Sequence, residues 1–277
     1  MLFRSTVLSS RFELIRHLGD GGFGSAYLAT DQRTGVKRVL KFANTDDGQD
    51  ALLREYRFGS EITHRNLCRY LHLDEDPTHG TYLLLEDGGD SLHQRFKEVP
   101  APLTLVGRVL NQAAEALDYL HGKGVVHADV SPGNILIDHQ DVVRIADFGV
   151  STNLKPAKSR ATERSTEAIT RIATSLIGVN SRFSAPEVLR QQNPRPASDQ
   201  ASLALSLCAI LQGTAGFIKR PQLTFSALTK AQAESLKRAM ASNPKDRFPT
   251  CSDFAREFTF SDANTAIYEA SATRRRR

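Results

Sequence analysis

The amino-acid sequence predicts an α+β fold in two lobes, a small β-rich N-terminal lobe with one helix and a larger, mostly helical C-terminal lobe. Three observations predict it. Residues 11–45 are short apolar runs broken by glycine and turn residues, such as Phe12-Glu13-Leu14-Ile15 and Arg38-Val39-Leu40-Lys41-Phe42, the pattern of β-strands. From residue 103 the period changes: Leu105, Val109, Ala113, Ala116, Leu117 and Leu120 fall three and four apart, one face of a long helix. Residues 201–211 are nearly all apolar, as in a helix buried on most sides.

The remaining elements fit between these. Residues 48–62 carry Ala51, Leu52, Tyr56 and Ile62 among charges, which predicts a helix. Residues 67–86 return to strand character, with a hairpin turn at Pro77-Thr78-His79-Gly80. Gly122 and Gly124 end the long helix. Two short strands follow near 135–137 and 142–146. Residues 150–175 are rich in Ser, Thr, Lys and Arg and read as a mobile loop. After Pro186 the pattern is mostly helical. There is no internal repeat.

Composition excludes several classes. With 40% hydrophobic and 24% charged residues over 277 positions, the chain can bury a core and is not disordered as a whole. A net charge of +5 fits phosphate-rich ligands, acidic partners or nucleic acid without choosing among them. Nucleic acid has no other support than this charge and the Arg274-Arg275-Arg276-Arg277 run, itself read as a solvated tail. Cys68, Cys208 and Cys251 are far apart in sequence with no CxxC or Cys/His cluster, which argues against a disulfide framework or zinc site and for a reducing compartment. No run of 18 apolar residues predicts a membrane span, and Met1-Leu2-Phe3-Arg4-Ser5 lacks the apolar core of a secretory signal.

Three motifs carry chemistry. Gly19-Asp20-Gly21-Gly22-Phe23-Gly24 follows a strand; glycines let backbone N–H groups turn toward phosphate. Ser25-Ala26-Tyr27-Leu28-Ala29 continues as a strand, so this is a flap between two strands rather than a dinucleotide-binding turn, which needs a helix there. His127-Ala128-Asp129-Val130-Ser131-Pro132-Gly133-Asn134 sets an Asp and an Asn five apart on one loop. Phosphoryl transfer needs a carboxylate to orient the attacking hydroxyl and oxygen ligands for magnesium. Asp147-Phe148-Gly149 follows a strand and offers a second carboxylate.

These motifs, in this order, resemble the eukaryotic-type protein kinase family. The likeness covers residues 11–258, with an N-lobe over about 11–87, a C-lobe over about 88–258 and a tail at 259–277. The resemblance implies a two-lobed protein-kinase-like fold, ATP and Mg2+ as cofactors with Mn2+ as an alternative ion, and transfer of the γ-phosphate to Ser/Thr hydroxyls of protein substrates. It assigns ATP binding to Gly19, Gly21, Gly22, Phe23, Gly24, Ala26, Lys41, Leu85, Glu86 and Gly88. Lys41 would hold phosphates and Glu55 would orient it, with Lys37 and Glu61 as their sequence rivals. Asp129 would be the catalytic base, and Asn134 and Asp147 the metal ligands. His127, Glu187, Asp199 and Arg247 would be structural supports, Glu187 and Arg247 as an ion pair.

The sequence also departs from the family. Position 128 is Ala where an Arg usually meets a phosphorylated residue, which implies activity that does not depend on phosphorylation of the 150–177 loop. Position 131 is Ser where Ser/Thr kinases usually have Lys, so a charge on the transferred phosphate is missing; Lys155 or Arg182 could replace it. Ala26 stands where Val is usual. Gly178–Ser184 matches neither a serine/threonine nor a tyrosine acceptor pattern cleanly, and the stretch from Asp199 to Arg247 is short. Two alternatives follow: a pseudokinase that binds ATP or a partner, and a small-molecule phosphotransferase. Autophosphorylation of the 150–177 loop, a free-standing cytoplasmic enzyme, and delivery into a host cell are further expectations.

Overall fold

Alternation along β3 (Gly24–Asp31) and β4 (Val36–Ala43) sorts their side chains onto two faces. Ala29, Leu40 and Phe42 join Leu8, Phe12, Tyr82 and Leu84 in a buried cluster on one face, with the half-buried Tyr27 packed against it. On the other, register sets Lys41 opposite Ala26 on β3 and opposite Leu83 on β6 (Gly80–Glu86). With β1 (Val7–Leu8), β2 (Phe12–Gly21) and β5 (Tyr70–Asp76), these strands make one antiparallel sheet in the order β1-β2-β3-β4-β6-β5. The computed structural model describes residues 7–8, 10–21, 24–148, 152–153, 180–219 and 228–259. It divides the chain into two compact units, residues 1–89 and 90–277. The sheet belongs to the first.

Helix α1 (Asp46–Gly59) completes the first unit. Thr45 caps it by accepting the Gly48 N–H at 3.1 Å, and Asp46 and Asp47 complement the helix dipole in the first turn. The sequence pattern predicts this helix over 48–62. It begins two residues earlier because of that cap and ends at Gly59. The 77–80 turn forms as expected. Asp76 Oδ1 accepts the Thr78 and His79 N–H groups, each at 2.9 Å, and Gly80 takes φ +76°, which favours glycine.

Asp31 fixes the β3–β4 turn. It is 1% exposed, takes Nε and Nη2 of Arg11 at 3.1 and 2.7 Å, and accepts the Arg33 N–H at 3.1 Å. The Arg11 hydrogen bond outweighs burial and lowers its pKa to about 2. A depressed carboxylate stabilises the fold above its unfolded pKa and loses that contribution as pH falls through the folded value. The melting-temperature gap between wild type and Asp31→Asn is therefore expected to be constant from neutral pH to about 4, and to close as pH approaches about 2. A gap independent of pH across this window would show that the charge contributes nothing.

In the second unit, β7 (Asp90–Ser91), β9 (Ile135–Ile137) and β10 (Val143–Ile145) form an antiparallel sheet, and β8 (Val125–Val126) pairs with β11 (Thr152–Asn153). Its α-helices among the described residues are α2 (Leu92–Arg95), α3 (Leu103–Gly122), α4 (Pro186–Leu189), α5 (Pro196–Gln212), α6 (Thr214–Lys219), α7 (Lys230–Ala239) and α8 over 251–259. The buried face of α3 is Leu105, Val106, Val109, Leu110, Ala113, Ala114, Ala116, Leu117 and Leu120, the face the sequence period predicts. Helix α5 is buried on most sides, and its polar residues Ser198, Asp199, Gln200, Ser202 and Ser206 are buried too. No helix among the described residues is long and apolar enough to cross a membrane.

Candidate active site

Lys41 and Glu55 meet in the first unit. Lys41 Nζ lies 2.8 Å from Glu55 Oε2, and Glu55 is 4% exposed. A carboxylate at that depth persists only with partners. It has a second one: the Tyr70 hydroxyl donates to Glu55 Oε1 at 2.8 Å. The rivals Lys37 and Glu61 are both exposed.

The β2–β3 hairpin carries the glycines. Gly21 pairs with Gly24 at its end, and Gly19 pairs with Ala26. Asp20 Oδ1 accepts from Ser25 Oγ at 2.7 Å and lies 3.0 Å from His17 Nε2; the Ser25 bond first, then His17, hold its pKa below the usual range. A Cβ on Gly24 would sit 1.9 Å from the Phe42 carbonyl oxygen, so the close approach of β4 alone demands glycine there. Gly22 and Phe23 lie outside the described residues. Leu85 and Glu86 end β6, and the Glu86 N–H donates to the Arg69 carbonyl at 3.0 Å. Gly88 is buried in the irregular segment that follows.

In the second unit the loop after β8 holds its own acid. Asn134 Nδ2 donates to the carbonyl and to Oδ2 of Asp129, both at 2.9 Å. Both amide protons are thereby used, which leaves the amide oxygen as the group a cation could take. The Ala146 N–H donates to the Asn134 carbonyl at 2.9 Å, and this joins the segment carrying Asp147 to the loop. Asp147 takes φ +67°, an uncommon conformation for a residue with a side chain. Gly149 lies outside the described residues.

His127 joins the same two segments. It is fully buried. Its Nδ1 accepts the Asp129 N–H at 3.3 Å, so Nε2 carries the proton donated to the Ala146 carbonyl at 3.1 Å. Burial is the main cause of its lowered pKa and favours this neutral form. The Phe148 ring stacks edge-on against it at 5.5 Å. Asp199 holds the loop from below: Oδ2 accepts the His127 N–H at 2.9 Å and Oδ1 the Ala128 N–H at 2.8 Å. Ala128 takes φ +67°, a conformation that costs an L-residue about 1–2 kcal/mol and is held here by the Asp199 bond.

Glu187 and Arg247 form the other buried pair. Arg247 Nη1 and Nη2 donate to Oε1 and Oε2 of Glu187 at 2.8 and 2.7 Å. Ser198 Oγ adds a bond to Oε1 at 2.7 Å. Burial works against the Glu187 charge, but the bonds from Arg247 and Ser198 outweigh it and hold the pKa below the usual range.

Sequence reasoning missed several members. His121 Nε2 lies 2.8 Å from Asp199 Oδ2; Asp118 takes the Cys251 and Ser252 N–H groups at the start of α8 at 2.9 and 2.8 Å. Their signal was an Asp and a His three apart near the end of an amphipathic helix. Asp118, His121 and Cys251 offer ligand atoms within 4.8 Å of one another, but both carboxylate oxygens and the His121 Nε2 are already engaged in these bonds. The side chain of Ser131 is not displayed at the surface: the residue is 3% exposed. Arg182, one source for the charge missing there, gives Nη1 to the Ile218 carbonyl. Lys155 lies outside the described residues, as do most of the 150–177 loop, Gly178 and Val179, and 260–277.

The fold and these constellations are what the comparisons place in one family. Residues 12–265 match the family described as protein kinase domain. The chain belongs to the eukaryotic-type protein kinase family. It is 30% identical over 208 residues to human receptor-interacting serine/threonine-protein kinase 1, covering 73% of this chain and 31% of that protein. It is 29% identical over 220 residues to the DNA damage-responsive serine/threonine-protein kinase RqkA of Deinococcus radiodurans, with 77% and 31% covered. Serine/threonine-protein kinase PknK of Mycobacterium bovis matches at 28% over 276 residues, with 91% and 24% covered. The chain spans about a third or less of the length of these relatives.

Proposed function

We propose that the chain is a Mg2+- and ATP-dependent protein kinase that phosphorylates serine and threonine hydroxyls of protein substrates. The observation that carries this reading is the pair of hydrogen bonds that Asn134 Nδ2 donates to Asp129, on a loop joined through Ala146 to the segment of Asp147. Asn134 and Asp147 provide hard oxygen donors, the chemistry magnesium prefers, and would hold the ion. Bound magnesium would neutralise charge on the phosphates. Lys41, held by Glu55 at 2.8 Å, binds phosphate oxygens. Asp129 orients the acceptor hydroxyl and takes its proton as the new O–P bond forms and the bond to the ADP oxygen breaks. The serine/threonine class draws its support from the names of the relatives.

The test is magnesium-dependent transfer of labelled γ-phosphate to casein, myelin basic protein and the chain itself, followed by phosphoamino-acid analysis. Phosphoserine and phosphothreonine from wild type, with loss in Lys41→Ala, support the reading. Label on tyrosine alone would overturn the acceptor class. Label on the chain itself, mapped to 150–177, would establish autophosphorylation.

A second reading, nucleotide binding without transfer, draws on Ser131. One preorganised charge can be worth on the order of 10²–10³ in rate, and Ser131 carries none. If transfer is limited by this, Ser131→Lys should raise kcat by roughly tenfold or more with little change in KM. An unchanged or lower kcat would mean the loop does not use a cation there. The Glu187–Arg247 pair favours a peptide-binding platform over a small-molecule phosphotransferase. The cysteines Cys68, Cys208 and Cys251 are buried thiols, and burial pushes Cys208 to about 12; reduced, unreactive thiols suit a cytoplasmic enzyme.

A further inference from the structure

Tyr70 stands at the first position of β5 and reaches helix α1 at two points. Its hydroxyl donates to Glu55 Oε1 at 2.8 Å. Its ring lies flat against Gly59, where an added Cβ would fall 2.5 Å from Cδ2, 2.6 Å from Cγ and 2.7 Å from Cε2. Glu55 and Gly59 are four apart, hence neighbours on one face of the helix. The ring therefore fits only because position 59 has no side chain, and the fit delivers the hydroxyl to the carboxylate. Tyr70 is 8% exposed and Glu55 4%.

Glycine is a poor helix former, at a cost of about 1 kcal/mol against alanine. Its use in the last turn of α1, with no positive φ to require it, matches the need for the ring. Each oxygen of Glu55 is engaged: Oε2 meets Lys41 Nζ and Oε1 takes the Tyr70 hydroxyl. A glutamate side chain anchored at only one oxygen can turn about its last bonds; anchored at both it is fixed.

We propose that Tyr70 is a positioning residue for the phosphate-binding lysine: through its hydroxyl it fixes Glu55, and through Glu55 it holds Lys41. On this arrangement the Lys41–Glu55 pair is assembled by β4, β5 and α1 from within the first unit. This inference rests on the kinase reading for the role of Lys41, and on the geometry alone for the link from Tyr70 to Glu55.

Tyr70→Phe removes one oxygen and keeps the ring. Hydrogen bonds to charged groups are worth enough to shift a local equilibrium by about 10- to 100-fold. Hydrogen exchange should therefore show α1 amides losing protection by about that factor in Tyr70→Phe, with α3 unchanged. In the phosphotransfer assay, kcat should fall roughly tenfold with the KM for the protein acceptor unchanged. Gly59→Ala, which displaces the ring, should reproduce both effects with the hydroxyl still present. If Tyr70→Phe leaves both α1 exchange and kcat at wild-type values, the contact is packing only and the proposal is wrong. If the wild type transfers no phosphate, the kinase reading fails, while the exchange comparison still decides whether Tyr70 holds Glu55.

Discussion

Asp129→Asn is expected to lower phosphoryl transfer by about 10²–10⁴-fold while leaving the fold intact. The side chain is half-buried, and its shape is kept by the amide. What changes is the charge: an amide oxygen cannot take the proton that the acceptor hydroxyl sheds. The local geometry survives in part, because Asn134 Nδ2 still finds the backbone carbonyl of residue 129 at its present 2.9 Å and the 129 N–H still meets His127 Nδ1. The melting temperature should accordingly move little, by the equivalent of about 0.5 kcal/mol or less. The discriminating comparison is Asp129→Asn against Asn134→Ala. The first removes the proposed base and keeps a hydrogen-bonding side chain; the second removes the two Asn134 bonds to Asp129 and the proposed amide ligand of magnesium, so it should raise the magnesium concentration needed for half-maximal rate. Transfer by Asp129→Asn within threefold of wild type would remove Asp129 from the chemistry.

Much of this site could be read from the sequence, for a physical reason. Residues suited to hold a nucleotide or a metal are limited to a few types, and short loops present them, so the proposed Asp129, Asn134 and Asp147 fall in compact, recognisable spacing. Lys41 was separable from Lys37 only by its apolar neighbours, and its register opposite Ala26 and Leu83 explains why: alternation sets every second residue of β4 on one face. The residues that hold these groups were harder to see. Tyr70 reads as one more aromatic in a strand, and its hydroxyl finds Glu55 across 15 positions. His121 sits 78 residues from Asp199. Such bonds depend on how helices and strands stack, and no local pattern encodes that. Helix ends were misplaced for a smaller reason: α1 starts where Thr45 caps it, and a hydrophobic period cannot register a cap.

Arg247→Ala is expected to destabilise the second unit by about 3–5 kcal/mol. The argument turns on what the deletion leaves behind. Arg247 is 3% exposed and Glu187 2%, so water cannot replace the lost partner. Arg247 also donates from Nη1 to the Ala197 carbonyl at 2.7 Å and from Nε to the Ala241 carbonyl at 2.9 Å. It thus ties α4, the start of α5 and the end of α7 together, and its removal takes a hydrogen bond from an acceptor in each. Glu187 would keep Ser198 Oγ and a backbone N–H for its charge but lose both guanidinium bonds. Against a whole-domain stability of about 5–15 kcal/mol, a loss of this size should lower the melting temperature by roughly 10 °C. Chemical denaturation of wild type, Arg247→Ala, Glu187→Gln and the double variant Glu187→Gln/Arg247→Met separates two meanings of the pair. If the loss comes from a stranded carboxylate, the double variant should be clearly more stable than Arg247→Ala, because no unpaired charge remains inside. If the double variant is as unstable as the single one, the Arg247 bonds to the Ala197 and Ala241 carbonyls carry the stability, and the ion pair itself is secondary. A loss below about 1 kcal/mol in Arg247→Ala would mean the carboxylate is reached by water after all, and that the pair is worth no more than one at the surface.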